Sequence, residues 1–172
     1  MGQLLGTFVG LITAFAIAFV ILTFGGIMPE DLISSTIVGD FLSYTDLELR
    51  LAVVSTVLYP APVGMESLGA ILGTGAQGGT VLMALAWGTG GLMAGLFARD
   101  ILSGILAALF AVIAGAFLTW LLVFAIQPDF NIMALFGGPS MYLLEKVLYG
   151  SIYSSIAAVV GGILGGGITR ER

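Results

Sequence analysis

The sequence predicts an all-α, polytopic integral membrane bundle, and three observations carry that prediction. The chain is 59% apolar and only 9% charged over 172 residues, against roughly a quarter charged in a soluble domain. One soluble core could not cover so much apolar surface. Four runs reach the roughly 20 apolar residues that a membrane-crossing helix needs. Small residues recur along them at every fourth position, the pattern by which helices pack closely in lipid.

The first span runs over about 4–28 without a charge. Met1-Gly2-Gln3 offers no basic segment and the run exceeds a signal-peptide core, so it reads as an uncleaved span. Spans over 80–98 and 101–126 follow, joined by the tight turn Arg99-Asp100, in which Asp100 suits the N-cap of the second. The last span, about 141–168, holds Glu145 and Lys146 near its start. An early glutamate suits the positive end of a helix, and a lysine there snorkels to the interface.

The stretch between the first two spans is different. Pro29 to Thr45 is polar and acidic, with Glu30, Asp31 and Asp40, and reads as a solvated loop in preference to a weak cation-binding surface. Thr45-Asp46-Leu47-Glu48 matches a capping box. It predicts a helix over 49–59 that Pro60-Ala61-Pro62 ends, because proline brings no N–H and clashes with the preceding turn. A second apolar piece, 63–72, holds Glu66 before the glycine-rich 73–79. The broken helical segment over 46–72 fits a re-entrant pair of half-helices, an interfacial pair, or one kinked span. The prolines and Glu66 favour four spans, since non-helical backbone at membrane depth needs cover from protein or water. The Lys/Arg bias slightly favours five. Both versions put the C-terminus and the Arg99 turn in the cytoplasm of a cell membrane.

The small-residue stripes are Gly6, Gly10, Ala14 and Ala18 on the first span, and Ala86, Gly90, Ala94 and Ala98, with Gly91 and Gly95 beside them, on the second. Ala107, Ala111, Gly115 and Thr119 mark the third, and Ser154, Ala158, Gly162 and Gly166 the last. Packing inside one monomer is their plainer use; contact with copies of itself or other membrane subunits is the other. Tyr142, Tyr149, Tyr153 and Trp120 gather towards one end, as an interfacial aromatic belt does.

The chain has no Cys and no His, which excludes disulfides, thiol catalysis, Cys/His zinc sites and haem with His or Cys ligands. Its formal charge of −5 excludes a basic nucleic-acid footprint. No nucleophile–base pair or phosphate cradle is present. Residues 73–78 match G-x-G-x-x-G by letters only, since no βαβ unit surrounds them. Neither an enzyme nor a cofactor is expected. An ionisable residue at membrane depth marks a functional site, and the candidate is Glu66, with Tyr59 just before the proline break; if the segment lies at the membrane surface, Glu66 is the plainer solvated or helix-starting carboxylate. Four spans, ends on one side and a long first outer loop resemble claudin-like and tetraspanin-like layouts. Their loop cysteines are missing, so the resemblance is of topology and implies no function. The expected function is a small structural or accessory subunit, embedded in the lipid bilayer within a homo-oligomer or larger complex. The alternative is a small channel or transporter for an ion or small solute, using the segment from Pro60 to Glu66. One Asn, three Gln and no Cys fit a thermophilic source, though a membrane composition alone gives the same counts; the expected source is prokaryotic.

Overall fold

The structure, a computed structural model, describes residues 2–27, 35–60, 80–126 and 139–170. It is all-helical, and no strand occurs among the described residues. The helices are α1 (Gly2–Thr23), α2 (Ser35–Ser43), α3 (Leu47–Leu58), α4 (Thr80–Ala98), α5 (Ile101–Ile126) and α6 (Pro139–Thr169). Four of them, α1, α4, α5 and α6, are long and apolar enough to cross a membrane. The first stops at Thr23, short of the expected Met28, and a 3-10 turn follows over Gly25–Ile27. Paired glycines at 25 and 26 are poor helix formers. The last helix starts at Pro139, where proline's missing N–H costs nothing.

These helices are apolar on all sides, and their packing is inverted relative to a soluble protein. On α1 the buried residues are Gly6, Gly10, Ala14, Ala18 and Leu22, while Leu4, Phe8, Ile12 and Val20 are exposed. Small side chains face the neighbours and large ones face outwards, as expected where lipid replaces water. A Cβ at Gly10 would lie 2.8 Å from the Gly90 carbonyl, and one at Gly2 2.8 Å from that of Phe97. Matching low numbers on α1 with high numbers on α4 makes the two helices antiparallel. Gly95 of α4 meets Gly162 and Gly166, and Gly88 meets Gly161, so α4 and α6 run parallel. Gly166 meets Asp100 and Ile101, and Gly162 meets Gly104, so α5 and α6 are antiparallel. The start of α1, the α4–α5 turn and the end of α6 therefore share one end of the bundle. The chain leaves α1 and joins α4 at the other.

The α4–α5 turn forms as its sequence implies. Arg99 takes a left-handed backbone, φ 60°, and its N–H donates to the Gly95 carbonyl at 3.1 Å, an αL C-cap. Asp100 then caps α5: its Oδ2 accepts from the Ser103 N–H at 3.2 Å and from the Ser103 hydroxyl at 3.4 Å. The Ser103 amide bond is the chief reason that the exposed Asp100 carboxyl titrates below the usual carboxylate range, with Arg170 adding a smaller pull.

Two expectations for the stretch between the first two spans need correction. Part of the expected acidic loop is the helix α2. Ile37, Val38 and Phe41 are buried on one side of it, and the Phe41 ring meets Phe19 edge-on at 5.3 Å. The capping box does not form. The N-cap of α3 is Asp46, with extended backbone and no side-chain cap bond, which shifts Glu48 out of the position that reaches back. The corner is held by Arg50 instead. Its Nε donates to the Tyr44 carbonyl at 2.7 Å, and its guanidinium lies 5.4 Å from the centre of the Phe41 ring.

Candidate functional site: a helix end inside the bundle

Helix α3 has 12 residues, about 18 Å of length against a hydrocarbon thickness of about 30 Å. It starts beside α2, at the end of the bundle where α1 finishes. It finishes where the middles of α4, α5 and α6 come together. From Ala52 to Leu58 every residue is buried, as are Tyr59 and Pro60.

Three hydrogen bonds tie this end to three helices. The Tyr59 hydroxyl donates to the Val112 carbonyl of α5 at 2.8 Å. The Trp87 indole N–H of α4 donates to the Leu58 carbonyl at 3.1 Å. The Ser154 hydroxyl of α6 donates to the same carbonyl at 2.7 Å. A helix leaves its last carbonyls without internal partners. In a water-poor interior an unpaired one costs about 1–3 kcal/mol, so Leu58 is served from two sides. The Tyr59 and Trp87 rings pack edge-on at 5.7 Å. Glycine makes the room: a Cβ at Gly115 would strike the Tyr59 hydroxyl, and one at Gly150 would lie 3.0 Å from the Tyr59 and Pro60 carbonyls.

Two further hydroxyls, Ser55 and Thr119, are buried with no hydrogen-bond partner among the described residues. Ser55 sits one turn before Tyr59 on α3, and Thr119 one turn after Gly115 on α5. The two helices run in opposite directions here, so both hydroxyls lie to the same side of the Tyr59 contact. Polar groups therefore gather around an otherwise apolar core: two orphan hydroxyls, the bonded Ser154 hydroxyl, one phenol, one indole and the carboxyl end of a helix dipole.

Of the residues singled out from sequence, Tyr59 belongs to this cluster, while Glu66 lies outside the described residues. Among the stripe residues, Gly6, Gly10 and Ala14 pack on α4, Gly91 and Gly95 on α6, and Gly162 and Gly166 on the start of α5. Ala111 is buried in the core and Gly115 faces Tyr59. Tyr149 and Tyr153 are exposed as a belt requires, but Trp120 is buried with Phe117 against it at 5.3 Å. The Tyr142 side chain lies outside those described. Asp46, Glu48 and Glu145 are exposed, and no group of three acidic side chains that could hold a metal occurs among the described residues.

The site residues missed from sequence are Trp87 and Ser154. A tryptophan in the middle of an apolar span needs an acceptor for its N–H, so Trp87 carried a usable signal. Ser154 did not, because in its stripe a serine reads as one more small packing residue. Comparison of the chain with models of known families, with curated proteins and with solved structures gives no match.

Proposed function

We propose that this protein is a small membrane channel or transporter for a small cation or proton, with its site where α3 ends inside the bundle. The observation that carries the reading is the buried carboxyl end of a helix too short to cross a bilayer, fastened from three sides by Tyr59, Trp87 and Ser154. Broken helices of this kind build transporter sites, since half-helix carboxyl ends and unwound carbonyls attract cations. In this reading the stretch from α3 to α4 is a re-entrant loop in a four-span protein, with both chain ends on the cytoplasmic side. Pro60 brings no N–H to the turn before it. Glu66 follows six positions later and supplies the titratable carboxylate. The reading is tested by proteoliposome flux of H⁺, Na⁺ and K⁺. Wild-type flux with loss in Glu66→Gln supports it. Equal flux in both would remove Glu66 from the site, and no flux of any of these ions would sink the reading.

A second reading is an accessory subunit within a homo-oligomer or larger membrane complex. It draws on the broad outward apolar surface, with Phe8, Phe110, Phe117 and Ile156 all at least half exposed. The small-residue stripes no longer argue for it, because they are covered within the chain. A strictly monomeric protein in detergent, with nothing co-purifying from native membranes, would count against it.

A further inference from the structure

We propose that the end of the bundle carrying the α4–α5 turn holds an anionic phospholipid, its acyl chains in a groove between α1 and α4 and its phosphate on Arg99. The groove, about 1090 Å³, is lined by Leu4, Leu5, Phe8, Leu96 and Phe97, with Arg99 at its mouth. Its walls are apolar and outward-facing: Leu4, Leu5 and Phe8 are each more than half exposed. Such a mainly apolar surface suits acyl chains. Arg99 is exposed and makes no ion pair among the described residues. The neighbouring Asp100 carboxylate is engaged by Ser103 and not by the guanidinium. A guanidinium presents a fork of donors that matches phosphate oxygens in pairs.

The backbone supplies an independent reason. Arg99 occupies the left-handed C-cap position, which glycine fills at no steric cost. The chain has 26 glycines and yet has arginine here. Strained backbone held under a reactive or binding side chain is a mark of use. The charge that the position gains is positive, at the mouth of a lipid-sized groove, and basic groups between helix ends at an interface select anionic headgroups.

The test uses the full chain in detergent with equimolar phosphatidylglycerol and phosphatidylcholine of the same acyl chains, read by native mass spectrometry. Wild type is expected to retain phosphatidylglycerol about fivefold over phosphatidylcholine, the effect of about one basic contact. Arg99→Gln is expected to bring the two to parity and Arg99→Lys to keep most of the preference. Arg99→Gly relieves the backbone and so keeps the fold, yet is also expected to lose the preference. Leu5→Trp fills the groove and should lower retention of both lipids. Equal retention by wild type, or an unchanged preference in Arg99→Gln and Arg99→Gly, would overturn the proposal. So would displacement of phosphatidylglycerol by millimolar inorganic phosphate, which would mark a free-anion site.

Discussion

The Leu58 carbonyl accepts from both Trp87 and Ser154, and that sharing sets a measurable non-additivity. Ser154→Ala leaves the indole in place, so it should cost only about 1 kcal/mol, the net worth of one hydrogen bond. Trp87→Phe likewise leaves the hydroxyl. The double variant strands the carbonyl in the core, and its loss should exceed the sum of the singles by about 1–2 kcal/mol. A double-mutant cycle on reversible unfolding in micelles reads this directly, and strict additivity would mean that the two donors do not share an acceptor. At the end of the bundle that holds the α4–α5 turn, Asp100 sets a pH dependence. Its folded carboxyl titrates below its ordinary range because the Ser103 amide favours the charged form. Its stabilising effect is therefore complete above the unfolded value, about 3.9, and is lost as pH falls through the folded one. Wild type should lose stability relative to Asp100→Asn as pH drops below about 4, because asparagine keeps a cap oxygen without the charge. Parallel pH profiles for the two proteins would refute that assignment.

Helix contacts here are backbone to backbone, and the glycines differ in what they permit. Gly161 packs on the Gly88 carbonyl and the Leu92 amide, while a Cβ on Gly88 itself would meet nothing within 4 Å. Gly161→Ala must push α4 and α6 apart, at about 1–3 kcal/mol as for overpacking elsewhere. Gly88→Ala meets no wall and should gain up to about 1 kcal/mol from helix propensity. Unfolding of the two single variants separates them by sign, and equal effects would show that the contact is not tight. The stripes were legible in sequence because lipid packing selects residue size at a fixed helical period, and the structure buries Gly6, Gly10, Ala14 and Ala18 as that period requires. Helix α2 was not legible in the same way. Its apolar face is only Ile37, Val38 and Phe41, set among acidic and hydroxyl residues that read as a loop. The cap of α3 was misread because Thr45 and Asp46 are both good N-caps, and the letters alone do not choose between them. The break after Tyr59 was plain from the prolines. What holds it was not, since Trp87 and Ser154 lie 29 and 96 residues along the chain from their acceptor.

At the scale of the molecule, the direction of α1 against α4 governs the topology. Residue order across their contact is reversed, from Gly2 beside Phe97 to Gly10 beside Gly90, the order expected if an even number of crossings separates the start of α1 from the end of α4. A five-span protein would need these two helices parallel, because a full crossing would intervene. Helix α3 fits the antiparallel arrangement: it reaches the core and is about 12 Å shorter than a bilayer's hydrocarbon. The basic residues pull the other way only weakly, because the balance rests on Arg50 alone, and Arg50 is already engaged by the Tyr44 carbonyl and the Phe41 ring. Thr45 and Arg170 are both exposed and lie at opposite ends of the bundle. With no native cysteine, Thr45→Cys and Arg170→Cys each supply a single reactive thiol. A membrane-impermeant maleimide applied to sealed vesicles of known orientation should modify the two from opposite sides. Five spans would bring both to one side, so same-side labelling would break the link between the α1–α4 contact and the membrane topology.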